Sequence, residues 1–332
     1  MRIAVVGLGK MGEIHAQKLS KMPDVQPAIV FRKRISPVEN RAKYAQTDAA
    51  ASRIFGRQVP LFDSLDTCLA KFKPETAIIA SSTIAHFGQA HLLIMAGIPL
   101  LVEKPLTLSP NDDTSLRVLA EKKEVPFVVG YNERFNGAVH ALFNLNWLGK
   151  LGSIKSIEST RTFKSNKSEH PLVNLGIHDM DIILRILRDP KYIDYAFQKN
   201  SGCQVTDAWT RIVFERAEAR VRVVFSEETT REMHIVGDKG TATVDFFSKT
   251  LTMTGSSGGK FRSETDAIGK ELAWFLEIAR DPKIAKKRRE SDPWLFDLGT
   301  NAVEIMTEAA AKSQAGTGSP TSSSPATSPS PQ

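Results

Sequence analysis

A chain of 332 residues with 41% hydrophobic and 24% charged side chains has the composition of an ordinary globular protein, which excludes a disordered, fibrous or membrane-embedded one. At this length roughly three quarters of the unfolded surface can be buried and a single core is near its upper size, so two domains are expected. The formal charge of +7, from 44 Lys and Arg against 37 Asp and Glu, suits a nucleic-acid partner or an anionic small ligand alike and decides nothing alone. Its clusters, Arg32-Lys33-Arg34 and Lys286-Lys287-Arg288-Arg289, lack the interleaved aromatics of a base-stacking platform. Cys68 and Cys203 form no C-x-x-C pair, which argues against a disulfide framework, a zinc knuckle or a redox dithiol. No run approaches the roughly 18 apolar residues of a membrane span, and residues 3–6 are cut short by Gly7 instead of continuing as a signal peptide. A cytoplasmic protein with no membrane or nucleic-acid partner is expected.

Short apolar runs at 3–6, 28–31, 77–80, 100–102 and 127–129 alternate with longer amphipathic segments. That is the sequence form of a parallel sheet with helices on both faces, an α/β, doubly wound Rossmann domain taken as residues 1–129. Directly after the first run stands Gly7-Leu8-Gly9-Lys10-Met11-Gly12. Gly7 permits a tight turn, Gly9 a close approach of backbone to a pyrophosphate, and Gly12 close packing of helix on strand, with Lys10 and Met11 opening the helix beside the phosphates. After the second run an acid would bind the free ribose 2′-hydroxyl of NAD. Arg32, Lys33 and Arg34 stand there instead, and three cations favour NADP(H) while leaving NAD(H) possible.

Ligands of open α/β sheets gather beyond the carboxyl ends of the strands. The third run leads into Ser81-Ser82-Thr83-Ile84-Ala85-His86, making Ser81, Thr83 and His86 cofactor-side candidates. The fourth leads into Glu103-Lys104-Pro105. There Lys104 is suited to orient a carbinol and support negative charge on its oxygen, and Glu103 joins it beside the cofactor; the alternative is a surface ion pair before a proline turn. Ser109, Pro110, Asp112 and Asp113 then supply a cap, a first-turn proline and first-turn acids to a helix. The fifth run leads into Gly130-Tyr131-Asn132-Glu133-Arg134.

Beyond residue 130 the pattern turns β-rich, at 154–163, 209–214, 221–225, 233–236 and 241–246. The last two are joined by Gly237-Asp238-Lys239-Gly240, whose glycines suit a hairpin. An open, mainly antiparallel sheet is expected, with helices at about 265–279 and 293–311, in a substrate-binding and oligomerisation domain of residues 130–312. Within it, residues 171–185, read as a helix, place Asn174, His178, Asp181 and Arg185 on one face. The remaining circumference is apolar, so this stripe must be satisfied inside the protein, and a substrate cleft is one candidate. His178 suits acid/base work. No second histidine or cysteine stands at ligand spacing, so no metal is expected. From Ser313 onward no charged residue occurs, and residues 313–332 are expected to be a disordered Ser/Pro-rich tail.

The glycine signature, His86, Glu103-Lys104-Pro105, the run from Gly130 through Asn136, His178-Asp179-Met180-Asp181 and Gly237-Asp238-Lys239-Gly240-Thr241 together resemble the glucose-fructose oxidoreductase / inositol dehydrogenase / MocA (Gfo/Idh/MocA) family over roughly residues 1–310. The resemblance implies a Rossmann domain followed by an α/β domain whose open sheet often serves as an oligomer interface, hence a homodimer or homotetramer. It also implies that Lys104 is the active-site lysine and His178 the proton-transferring histidine. The family's helix usually reads D-x-x-x-H; Asn174 holds the acid position here, so Asp181 is expected to share the catalytic duty. Where the family has T-P-N before the first histidine, this chain has Ser81-Ser82-Thr83. The N-E-R-F-N and H-D-x-D forms look most similar to nucleotide-sugar 3-dehydrogenases acting on UDP-N-acetylglucosamine-type substrates. For an anionic diphosphate, Arg134 and Arg161 are candidate partners, with Asn132, Asn174 and His178 completing the substrate contacts. The expected activity is hydride transfer between nicotinamide and a secondary alcohol or ketone of a sugar. The alternatives are an NADP-binding regulatory protein without turnover, or a reductase acting on a cyclitol or other cyclic ketone.

Overall fold

The computed structural model describes residues 1–31, 37–164, 170–199, 205–255, 258–297 and 299–314. Arg32, Lys33 and Arg34, and the tail from residue 315, lie outside the described residues. The first sheet comprises β1 (Arg2–Val6), β2 (Gln26–Val30), β3 (Leu61–Phe62), β4 (Thr76–Ile79), β5 (Leu100–Glu103) and β6 (Phe127–Gly130). All pairs are parallel in the order β3-β2-β1-β4-β5-β6. The apolar runs are continuous because alternate side chains enter two different cores. Ala4, Val6, Ala77 and Ile79 pack on one face of the sheet and Ile3, Val5, Ile29 and Ile78 on the other, all buried. Strand order reverses at β1 and β4, which opens a crevice beyond their carboxyl ends.

The second sheet comprises β7 (Ile154–Phe163), β8 (Tyr192–Lys199), β9 (Val205–Val213), β10 (Glu218–Phe225), β11 (Arg231–Gly237), β12 (Gly240–Asp245), β13 (Thr250–Gly255) and β14 (Gly259–Arg262). Its order is β14-β13-β12-β11-β7-β10-β9-β8, with only β7 and β10 parallel. One face is wet. On β10, Glu218, Arg220 and Arg222 are exposed while Ala219, Val221 and Val223 are buried. The dry face joins the first of the two cores together with the helices Ile177–Leu187 and Thr300–Gln314, so a single apolar cluster runs from the first sheet to the second.

Two expectations from the sequence need correction. The helix read at 293–311 is a 3₁₀ turn, Pro293–Phe296, followed by a separate helix, Thr300–Gln314. The break falls at Gly299, whose φ is +69° and where a Cβ would run into the Tyr131 ring. The last helix also continues through Gln314, past the point where disorder was expected to begin. Among the described residues no helix is long and apolar enough to cross a membrane.

Candidate active site

Two adjoining cavities open at the carboxyl ends of the first sheet. The first, about 870 Å³, is lined by Gly7, Leu8, Gly9, Lys10 and Met11, by Val30 and Phe31 at the end of β2, by residues 80–86 and by Glu103, Lys104 and Asn174. The local sequence shapes it. Gly7 has φ +94° and lies against the backbone of Ala80 and Ser81, and a side chain at Gly12 would run into the Gly7 carbonyl. Gly9 faces open space and caps the helix Lys10–Leu19, whose first amides therefore border the cavity. This is the form that admits a pyrophosphate, and these residues fit a dinucleotide. Ser81 and Thr83 line the same trough, with the Ser81 hydroxyl donating to Gln89 Oε1 at 2.7 Å.

The second cavity, about 640 Å³, shares Lys10, Met11, Glu103, Lys104 and Asn174 with the first and adds Asn132, Glu133, Arg161, Thr162, Lys164, His178, Thr229 and Arg231. Lys104 enters from the end of β5 and His178 from the helix Ile177–Leu187. The Lys104 ammonium donates to the Asn174 carbonyl at 2.6 Å and to its Oδ1 at 3.2 Å. Burial, and then the positive charges of Lys104, Arg161, Arg231 and Arg134, hold the His178 imidazole well below its usual pKa. It is therefore neutral near pH 7, the form that accepts a proton. Its ring meets Tyr131 edge-on at 6.1 Å between centroids, and among the described residues its buried Nδ1 has no hydrogen-bond partner. The buried Asn132 Oδ1 likewise has none among the described residues, and Asn132 lines a cavity that can hold a hydroxyl.

The stripe read from the sequence does not stay within this cleft. Residues Leu172–Gly176 form a π-helical turn ahead of the α-helix, and Asn174 and His178 line the cavity while Asp181 and Arg185 border a different recess one and two turns on. A rise of about 1.5 Å per residue carries the far end of the stripe away from the ligand. Asp181, expected as a catalytic partner, instead receives the Arg134 guanidinium at 2.6 and 2.9 Å. Arg134, expected to touch substrate, is buried and spends its remaining donor on the carbonyls of Trp294 and Asp297, at 2.7 and 2.8 Å. Neither side chain reaches the cavity, because each satisfies the other's buried charge.

Other predicted residues lie at the cavity walls but are occupied. Arg161 lines the second cavity yet bonds Asp179 at 2.5 Å and Glu133 at 3.2 Å. His86 is buried, with Nδ1 near the carbonyls of Pro105 and Leu106 and Nε2 near that of Ser81. It braces the chain around Lys104 and also lines the first cavity. Glu103 is spent on His15 Nε2 at 2.7 Å in a buried pair. Behind it, burial and the Glu103 charge push the Glu271 carboxyl well above the usual range. His15, Asp179, Arg231 and Glu271 escaped sequence reasoning, since each gains meaning only from a partner distant in the chain. Among the described residues no group of three or more His, Cys, Asp or Glu side chains could hold a metal ion.

A glycine turn open to a dinucleotide, beside a cleft lined by a lysine from the first sheet's rim and a neutral imidazole from a helix packed on the second, defines the class of nicotinamide-dependent oxidoreductases. Residues 1–131 match the family model GFO_IDH_MocA, described as "Oxidoreductase family, NAD-binding Rossmann fold". The region that carries the first sheet is thus similar to this Gfo/Idh/MocA oxidoreductase family. It is 28% identical over 299 residues to UDP-N-acetylglucosamine 3-dehydrogenase of Acidithiobacillus ferrooxidans, covering 83% of this chain and 88% of that protein. It is 26% identical over 190 residues to an inositol 2-dehydrogenase of Corynebacterium glutamicum, spanning 55% of this chain and about half, 53%, of the relative. The solved structure of the Acidithiobacillus enzyme superposes with a TM-score of 0.75 at 22% identity, over 95% of this chain and 97% of that one. A biliverdin reductase from Synechocystis, solved with biliverdin and NADP+, gives 0.70 at 19% identity over 93% and 98%. At these identities the structural likenesses establish the fold.

Proposed function

We propose that this protein moves a hydride between NADP(H) and a secondary alcohol or ketone of a nucleotide sugar of the UDP-N-acetylglucosamine type. The observation that carries the reading is the shared cavity: Lys104 from the first domain and His178 from the second line one cleft that abuts the glycine turn. The relative that is matched over most of its length acts, by name, on UDP-N-acetylglucosamine. The three cations after β2, at positions 32–34, support the preference for NADP(H) over NAD(H).

When bound in the trough, the nicotinamide dinucleotide supplies the ring that gives or takes the hydride. His178, neutral in the cleft, accepts the hydroxyl proton of the alcohol and returns it in the reverse direction. Lys104, positioned by two oxygens of Asn174, steadies the substrate oxygen as charge develops there. The Asn132 amide, with its unpaired oxygen, orients a neighbouring hydroxyl. A homo-oligomer built on the wet face of the second sheet is part of this reading.

A second reading, a dinucleotide-binding regulator without turnover, draws on the amide at Asn174 where relatives of this kind usually carry an acid. One experiment separates the two. Purified protein with NADP+ or NAD+ is offered nucleotide sugars, free aldoses and inositols while nicotinamide absorbance is followed, with Lys104→Ala in parallel. The expected result is turnover of a nucleotide sugar, faster with NADP+, and a loss of at least about 10³-fold in the variant with dinucleotide binding retained. Silence with every substrate favours the regulator; an unchanged rate in the variant removes Lys104 from the chemistry.

A further inference from the structure

The second cavity holds more positive charge than its acids answer. Its charged lining residues are Lys10, Lys104, Arg161, Lys164 and Arg231 against Glu103 and Glu133. Both acids are committed, Glu103 to His15 and Glu133 to Arg161 and the Asn136 amide. Arg161 is matched by Asp179 as well. Arg231 and Lys164 differ: among the described residues neither forms an ion pair, and both are exposed at the same end of the cleft.

The sheet register makes this an arrangement with a cost. Arg231 opens β11 and lies directly across from Arg161 on β7. It shares the face of Met233 and Ile235, which are buried in the core, so it projects toward the cleft side of the sheet and not toward its wet face. Like charges opposite each other on neighbouring strands destabilise a sheet. The pair Asp179 and Glu133 offsets Arg161, and nothing described offsets Arg231. Its field falls instead on the cavity, where it is one of the charges that disfavour protonation of His178. Thr162 and Thr229 flank it on the same wall.

We propose that Arg231, assisted by Lys164, holds the diphosphate of the nucleotide-sugar substrate and so delivers the sugar ring to Lys104 and His178, an assignment that rests on the substrate reading above. A guanidinium matches two phosphate oxygens at once and an ammonium adds a point charge beside it. The role given to Arg134 and Arg161 by sequence alone passes to these two residues, because the first pair is already neutralised by protein carboxylates. A cavity of about 640 Å³ is within the usual range for a ligand of that class.

The test uses the full chain with its dinucleotide trough filled by saturating NADP+ or NAD+, so that a nucleotide cannot report binding there. UDP and uridine are titrated by calorimetry at several potassium chloride concentrations, on wild type, Arg231→Ala and Arg231→Lys. We expect UDP to bind and uridine to bind far more weakly. Arg231→Ala should weaken UDP by about 10–100-fold with a shallower salt dependence, Arg231→Lys should recover part of that loss, dinucleotide affinity should hold in both, and the melting temperature of Arg231→Ala should hold or rise as the like-charge pair is relieved. If nucleotide sugars are turned over but UDP binds equally to wild type and Arg231→Ala, the assignment of Arg231 is overturned and the substrate reading stands. If wild type binds no UDP and oxidises only an uncharged sugar or cyclitol, the substrate reading falls and takes this inference with it.

Discussion

At position 174 an amide does two jobs that a carboxylate would do differently. Its carbonyl and Oδ1 both accept from Lys104, so two neutral oxygens position the ammonium. The Lys104 charge contributes to holding the His178 pKa down. Asn174→Asp would place a negative charge against Lys104 and relieve part of that pressure. The folded-state pKa of His178 should rise, since an added anion favours the imidazolium. The imidazole must be neutral to accept a proton, so the acid limb of the pH profile for alcohol oxidation should move up by about one pH unit. A profile of kcat/KM against pH for both proteins checks this; coincident acid limbs would show that residue 174 does not sense the catalytic charge.

One helix carries a device of another kind. The helix Pro110–Lys122 begins with the Ser109 cap and places Asp113 in its first turn, wholly buried, where the Thr107 hydroxyl donates to Oδ1 at 2.7 Å. Burial pushes the carboxyl up to about 6, against an ordinary 3.8, with the Thr107 and Thr300 hydroxyls opposing the shift. Between those two values the folded chain holds a proton that the unfolded chain has released. This contribution is therefore fully favourable below about pH 4 and is lost as pH rises through 6, leaving an ionised group that costs on the order of 3 kcal/mol at pH 7. Asp113→Asn keeps an acceptor for Thr107 and removes the titration. Its urea midpoint should exceed that of wild type at pH 7 and fall to or below it at pH 4. A midpoint difference independent of pH would show that the carboxyl does not titrate in that window.

The elements were unevenly legible for the same reason. Helix starts such as Ser109-Pro110 and the strand Ile154–Phe163 are written in neighbouring residues, and local chemistry fixes them. The lone surprise inside a helix, the π-helical turn at Leu172–Gly176, leaves no periodic signal, because one extra residue in a turn merely offsets the stripe. The break at Gly299 depends on the Tyr131 ring, 168 residues away in the chain.

For the molecule as a whole, what the sequence shows well is the row of strand ends. Gly7, Ser81, Lys104 and Asn132 each follow an apolar run, and the order of a doubly wound sheet brings such ends to one rim. What it hides is how charges are settled across that rim. Arg134 with Asp181, Arg161 with Asp179 and Glu103 with His15 are partners 47, 18 and 88 residues apart, and no spacing rule distinguishes a cation awaiting a ligand from one already answered. Arg134 also gathers the Trp294 and Asp297 carbonyls, so a residue that reads as a ligand contact is in fact a clasp between the end of the first sheet and the 3₁₀ turn Pro293–Phe296.

The two cavities have five residues in common, Lys10, Met11, Glu103, Lys104 and Asn174. A partition owned by both chambers means that an occupant of one becomes part of the boundary of the next. The hydride passes directly between dinucleotide and substrate, so the two must be present together. Initial-rate plots with both reactants varied should therefore give intersecting lines, the mark of a ternary complex, and a family of parallel lines would mean that the wall stores a reacted form of its own.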